Sequence, residues 1–595
     1  MTPAPLLRRL AVAAVLGAGA ACAQAAPAVD IAFSLDAAHR LSVRYRAPEG
    51  VSHLDFMLHD PRIDRLFRTP MLRPVDDCAT LVPGGIDLRR GKGCGAGAQF
   101  VVQPAVVSRQ AFSEPAEPSS DGGVLFYTGY YAAAARGVDL RWQFVAGPGD
   151  YVVDDGRRQA GVVTVAPATP GAGVQRDSEA WLRQMHALNY VFIGHSPTES
   201  EGGLLWVRDP ALPAAAVEAV ANAGRIAWRA YGEAAQAMPP GPAAIVMLRA
   251  AQAAEGFRDY HGDRTEGNML RLTFIDPPAD PPAAQLEAWA GFVAHEMAHL
   301  WNAGVFGTDF DEPWLHEGDA EWVGLNALHE ARVLSDAGFV KRLDAAVNTC
   351  LVVRGDAPAK SFPKQWHDGR DDPYACGVAL QLLGWAERRK RDPSAIATPL
   401  ERWGELHRRV PEMTSTAFAG FFDEGGAPMM RELLLGEATP FASTYRKDLA
   451  NFVPVQTLAG EYADAALREQ VARRLFAQLE QADCSGGLGF TTYAQTGEMV
   501  VDDRLGCRAI PAGAHVVALA GVKALAQPRA AWIAVRQACA GAKHYALGVA
   551  NAAPVDVDCP ADLPAPPTPI RLPADVLRWL QLMPLPVRAD APPAR

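Results

Sequence analysis

The sequence predicts a multidomain α+β protein, and three observations carry that reading. At 595 residues the chain is long enough for three or four domains, each with its own core. Period-two alternation dominates from about 28 to 165, helices prevail from about 330 to 450, and strand signals return near 490. Proline-rich and polar stretches punctuate these changes. The expected boundaries are a leader at 1–26, a β-rich domain at 27–170 and a mixed domain with a helical half at 171–455. A small α/β domain at 456–559 and a proline-rich tail at 560–595 follow.

The leader has Arg8 and Arg9, an apolar run from Leu10 to Ala21, and small residues offering A-x-A-like cleavage at Ala23 or Ala25, the pattern of a signal peptide. Arg8-Arg9 hints at twin-arginine export. Cys22 raises lipoprotein anchoring, but Gly19-Ala20-Ala21 lacks the aliphatic residue expected before it. No later apolar run reaches the ~20 residues needed to span a bilayer, so a secreted or periplasmic protein without stable membrane insertion is expected. The other eight cysteines fall into four sequence-local pairs, 78 with 94, 350 with 376, 484 with 507 and 539 with 559. Such pairing suits an oxidising compartment. Net charge is −11, or −13 once Arg8 and Arg9 leave with the leader, and no basic stripe is present, which excludes nucleic acid as a partner. Nothing in the sequence sets an oligomeric state.

In the β-rich part, Leu41-Ser42-Val43-Arg44-Tyr45 and Tyr151-Val152-Val153 read as strands, and Ser113–Gly123, rich in Pro, Ser and Glu, as a loop. A helix is expected from about 212 to 237, then strands at Ala244–Leu248 and Met269–Ile275. Four prolines between 277 and 284 end the second strand. The helix that follows carries His295-Glu296-Met297-Ala298-His299.

That motif decides the chemistry. Histidines four apart on a helix project from one face and can grip one metal. A zinc ion that does chemistry takes three protein ligands and keeps one position open. Glu296 stands where it can deprotonate the water there. Glu317, in Trp314-Leu315-His316-Glu317-Gly318, is placed to be the third ligand. H-E-x-x-H also arises by chance on surface helices. Here the apolar lead Gln285–Ala294 reads as buried, and Pro313 opens a second helix, Trp314–Leu328, making a helix–loop–helix pair. Glu321 shares a face with Glu317 and can hydrogen-bond the far nitrogen of a ligand histidine.

His295–His299 with Leu300-Trp301-Asn302 resembles the H-E-x-x-H-x-W-N of the glycyl-aminopeptidase-like family. Trp314–Gly318 is similar to the W-x-x-E-G shared by that family and the aminopeptidase N family, both gluzincins. Pro373-Tyr374-Ala375-Cys376-Gly377 resembles P-Y-x-x-G, whose tyrosine stabilises the tetrahedral intermediate in aminopeptidase N relatives. The resemblance covers about 170 to 455. It implies a thermolysin-like zinc catalytic domain and a metallopeptidase with His295, His299 and Glu317 on Zn2+, Glu296 as general base and Tyr374 as oxyanion donor.

Departures bear on the substrate. His299 and Glu317 are separated by one residue fewer than in aminopeptidase N relatives. Their edge-strand G-x-M-E-N, whose glutamate binds the substrate's free amine, is matched here by Gly267-Asn268-Met269-Leu270-Arg271. Gly267 and Met269 agree, whereas Leu270 and Arg271 stand in place of Glu and Asn. Glu266 is a possible substitute. Arg271 on an edge strand could instead pair with a substrate carboxylate. His316 is a poor ligand candidate because neighbours on a helix point about 100° apart. His367 reads as loop, with a substrate role as its alternative. Trp301 and Asn302 are expected to shape the end of the metal helix.

Gly487-Leu488-Gly489-Phe490 matches the G-L-G-F loop whose amides bind peptide carboxylates in PDZ domains. With strands at Thr491–Ala494, Met499–Val501 and His515–Ala520 and a helix at Pro528–Ala540, residues 484–558 resemble a PDZ-like domain. Asp575–Met583 reads as a short amphipathic helix packed on the body. The expected function is an exported zinc aminopeptidase acting on peptides. The alternatives are an endopeptidase on the same chemistry and a non-catalytic peptide-binding protein.

Overall fold

A computed structural model describes residues 28–166, 179–250, 260–356, 373–392, 398–484 and 489–582, apart from 59, 92–93, 95–96, 104–114, 136–137, 266, 303, 311, 459, 463, 494, 503–505 and 581. The leader, Glu266 and His367 lie outside these residues.

Alternation builds the amino-terminal part. Ala28–Leu35 pairs antiparallel with Leu41–Arg46 and parallel with Asp139–Val145 in a six-stranded sheet. Its inward positions, Val29, Ile31, Phe33, Val43 and Tyr45, are buried against Trp142 and Phe144. A five-stranded sheet lies against it, in the order Arg157–Gln159, Tyr151–Asp154, Tyr190–Gly194, Val124–Tyr127 and Ala116–Pro118. This β-rich layer therefore continues past 170 to Gly194. The reason is visible in Tyr190-Val191-Phe192-Ile193: Val191 and Ile193 enter the amino-terminal core, while Tyr190 and Phe192 face the next sheet. Ala116–Pro118, within the stretch expected to be loop, is a strand paired with Val124–Phe126. Its prolines and acids suit a sheet edge, where one row of amides needs no partner.

The central sheet contains β1 (Thr198–Glu201), β2 (Leu204–Arg208), β3 (Ala243–Ala250), β4 (Tyr260–Thr265) and β5 (Met269–Ile275), ordered β1-β2-β3-β5-β4. Helix α1 (Ala214–Ala235) connects β2 to β3. Strands β2, β3 and β5 are parallel and buried on both faces, as their unbroken apolar runs require. Ile245, Met247, Leu270 and Leu272 face the helices; Ala244, Val246 and Met269 face the amino-terminal layer. Strand β4 is the antiparallel edge.

The helical half comprises α2 (Ala283–Asn302), α3 (Pro313–Glu330), α4 (Asp336–Arg354), α5 (Pro373–Arg391) and α6 (Pro399–Arg409), with shorter helices up to Ala450. Past it, α7 (Ala465–Asp483) and α8 (Pro528–Gly541) pack on an antiparallel sheet ordered Phe490–Tyr493, Glu498–Val501, His515–Leu519, His544–Val549 and Val555–Asp558. Gly487 and Leu488 of the G-L-G-F run lie outside the described residues. The Gly489 amide donates to the buried Glu480 carboxylate on α7 at 3.2 Å, and Phe490 packs edge-on against Phe476. An amide expected to receive a peptide carboxylate is thus taken by a carboxylate of the chain itself.

The chain then returns to the helical half. Ile570–Arg571 pairs with Gln456–Thr457, and Ile570, Leu572, Val576, Leu577, Leu580 and Leu582 enter the same core as α1–α6. Asn348 and Trp385 bind its carbonyls at Ile570 (2.8 Å) and Leu580 (2.9 Å). Four disulfides join the sequence-local pairs, Cys78–Cys94, Cys350–Cys376, Cys484–Cys507 and Cys539–Cys559, and fit an oxidising compartment. Among the described residues no helix is long and apolar enough to cross a membrane.

Candidate metal centre

Helix α2 is buried from Trp289 to Asn302 except for Phe292, because its apolar residues face the sheet, α1 and α3 in turn. Tyr231 on α1 donates to the Ala294 carbonyl (2.8 Å), and Trp301 donates to the Ala237 carbonyl (3.0 Å), so the helix is pinned at two heights. Helix α3 starts at Pro313, preceded by Glu312, whose carboxylate accepts from Trp314 and Ser415. Gly324 lets α3 lie close to α2: a Cβ there would be 3.2 Å from the His295 backbone nitrogen. Buried Asp319 accepts from Gln381 on α5 (3.0 Å) and from Trp403 (2.7 Å) on α6, and lies 2.9 Å from His407 Nε2, holding three helices in register.

This frame brings His295, His299 and Glu317 together. The two Nε2 atoms are 3.2 Å apart; Glu317 Oε2 lies 3.2 Å from His295 Nε2 and 3.5 Å from His299 Nε2. Zinc bonds of about 2.0–2.1 Å in a tetrahedron place ligand atoms about 3.3 Å apart. The three separations and the two-nitrogen, one-carboxylate donor set therefore fit that ion. Burial alone would lower the His295 pKa, but hydrogen bonds with Glu317 and Glu321 push it up to about 10. The same histidines hold Glu317 far below the carboxylate range despite its burial. Glu321 Oε2 stands 3.3 Å from His295 Nδ1, on the side away from Glu317.

Around the triad, burial raises the pKa of Glu296, opposed by the charges of His295 and His299. The Tyr374 ring is 42% exposed and 5.3 Å from the His295 ring. It sits in the first turn of α5, which Cys350–Cys376 ties to the last turn of α4. His316 stacks on His299, with ring centres 4.2 Å apart and planes within 13°; burial and the His299 charge depress its pKa to about 3.

The strand beside this centre differs from expectation. The run Gly267–Phe274 is not the sheet edge; β4, one strand earlier in sequence, is. Gly267 and Asn268 make the β4–β5 turn, where a Cβ on Gly267 would meet Asn189 at 2.9 Å, and Met269 is fully buried facing the amino-terminal layer. Arg271 is buried on the inner strand, pairing with Asp263 on β4 (2.8 Å) and Glu117 of the amino-terminal layer (3.5 Å). Glu117 also accepts from Thr273 (2.9 Å), and Asp263 from the Tyr190 hydroxyl (2.9 Å). Asp263 and Glu117 were not anticipated from sequence. The polar run Tyr260–Thr265 carries no strand alternation that would have pointed to the former, and Glu117 lay in a stretch that read as loop. Asp263 is near enough to Glu296 to raise its pKa further.

No protein-family model matches the sequence, and no curated protein sequence matches it. In structure the chain is similar to an aminopeptidase N family protein from Idiomarina loihiensis, with 13% identity and a TM-score of 0.56, over 93% of this chain and 99% of that one. The chain has an aminopeptidase N-like fold.

Proposed function

We propose that this chain is an exported, zinc-dependent metallopeptidase that hydrolyses peptides from the amino terminus. The observation that carries the reading is the His295–His299–Glu317 cluster, whose ligand atoms lie within 4.8 Å of one another with Glu296 beside them on the same helix. His295, His299 and Glu317 would hold the ion. When bound, zinc supplies Lewis acidity that acidifies water and polarises a carbonyl. Glu296, buried and with its pKa raised, is suited to hold a proton taken from water and hand it to the leaving amine. The Tyr374 hydroxyl, on a half-exposed ring beside His295, is suited to donate to the oxygen that gains charge.

Amino-terminal recognition is supported by charge. Asp263 on β4 is a carboxylate within electrostatic reach of Glu296 and shares the Arg271 guanidinium with Glu117 of the amino-terminal layer. A substrate ammonium would complement Asp263. A specific observation favours the endopeptidase alternative: both carboxylates already pair with Arg271.

The test pairs zinc content with cleavage of one peptide in free and N-acetylated forms. Cleavage of the free form alone supports the aminopeptidase reading, and cleavage of both supports the endopeptidase. Glu296→Gln is expected to keep zinc and lose about 10²–10⁴-fold in turnover. Zinc bound with neither form cut by the wild type would favour a non-catalytic peptide-binding protein.

A further inference from the structure

The two histidines of the cluster are held in different ways. Neither Nδ1 has a hydrogen-bond partner, but the Glu321 carboxylate stands 3.3 Å from that of His295. Among the described residues His299 has an ion pair through Nε2, to Glu317, and none through Nδ1. A metal-binding imidazole is ordinarily oriented through its second nitrogen. At His299 the plane of the ring must instead be set by packing.

Two rings bound it. His316 lies against its face, with ring centres 4.2 Å apart and planes within 13°, and His295 meets it edge-on at 4.9 Å and 85°. Parallel planes at that separation are close to van der Waals contact, so turning the His299 ring about its Cβ–Cγ bond would swing its edge into His316. His316 directly precedes Glu317 on α3. Neighbours on a helix point about 100° apart, the divergence that makes His316 a poor ligand. The same divergence lets it rest on the face of a histidine whose Nε2 Glu317 reaches at 3.5 Å.

We propose that His316 is the positioning residue for His299: its ring lies on the ligand ring and holds the plane in which His299 Nε2 faces His295 Nε2 and Glu317. One turn of α3 then supplies a ligand and the support of a second ligand. The proposal rests on the zinc reading of the site. The role needs a flat ring and makes no use of the His316 nitrogens. A His299 ring left free to turn must be ordered by the ion as it binds, which costs about 2–10-fold in affinity for one side chain.

The test compares the full chain with His316→Phe and His316→Leu, measuring zinc affinity by competition with a chromogenic chelator and the melting temperature of each zinc-stripped protein. Phenylalanine keeps a flat ring without nitrogens; leucine fills the space without a flat face. The expected result is wild-type affinity in His316→Phe and a loss of about 2–10-fold in His316→Leu, with both stripped variants within about 2 °C of the wild-type melting temperature. Wild-type affinity in His316→Leu would overturn the proposal while leaving the zinc reading intact. A His316→Phe protein as weak as His316→Leu would overturn it in favour of a role for a His316 nitrogen. Melting temperatures well below wild type in both stripped variants would overturn it in favour of a purely structural role. A wild-type protein that binds no zinc would overturn the reading on which the proposal rests.

Discussion

Helices α3 and α5 cross where Gly318 meets Gly377, and Gly377→Ala turns that crossing into a measurement. A Cβ on Gly377 would lie 2.2 Å from the Gly318 Cα and 2.7 Å from the Trp314 carbonyl oxygen. Ordinary contact starts at 3.4 Å, so the helices must part by about 1.2 Å at this point. Both obstacles are backbone, so no side-chain rotation relieves them. Gly377 stands one turn after Tyr374, and Gly318 directly follows Glu317. Parting the helices therefore moves the tyrosine away from the triad while leaving the triad on α2 and α3. Overpacking of this kind costs about 1–3 kcal/mol. A misplacement near 1 Å costs on the order of 10²-fold in rate. The expected outcome is a lower melting temperature, retained zinc and a kcat about two orders of magnitude down. Gly420→Ala is the control: it lies inside a helix with nothing within 4 Å of its added Cβ, and should lose no activity and gain up to about 1 kcal/mol. Wild-type kcat and melting temperature in Gly377→Ala would refute the claim that this crossing holds Tyr374 in place.

Two further outcomes follow from buried groups. Replacing Cys350 and Cys376 by serine opens a link across 26 residues and should cost about 3–4 kcal/mol, read as a lower denaturation midpoint and reduced kcat. A variant indistinguishable from wild type would sink this. Burial, partly offset by the Gly489 amide, pushes the Glu480 carboxyl up to about 7 from 4.5, so the folded chain keeps a proton that the unfolded chain releases first. The sign follows: stability falls as pH rises from about 4.5 to about 7, by about 3 kcal/mol, and is level above. Unfolding curves for Glu480→Gln should lack that slope; an identical pH profile in both proteins would contradict the assignment.

What could be read from sequence was what is local. His295, His299 and Glu317 sit within one helix–loop–helix, where spacing alone dictates which side chains share a face. The cysteine pairs were legible for the same reason, since each closes a short loop inside one unit. Strand order was not, because pairing joins residues through space. Counting back from α2 reaches β5, while the edge is the strand before the turn, so Arg271 lies on an inner strand and not on the edge. Glu117 reaches Arg271 across 154 residues, a partnership no local window contains. In the small carboxy-terminal domain, four residues suggested a peptide groove, but the composition of a glycine turn carries no record of what its amides bind.

The return of residues 570–582 to the helical core bears on how the protein is made. Ile570, Leu577 and Leu580 are fully or nearly fully buried, and Ile570 and Leu580 bond Asn348 of α4 and Trp385 of α5, 222 and 195 positions earlier. The helical half therefore cannot seal its interior until translation has passed the α7–α8 domain. Until then an apolar seam stays open, so a polypeptide stopped before residue 570 is a substrate for chaperones and proteases, however complete its metal ligands.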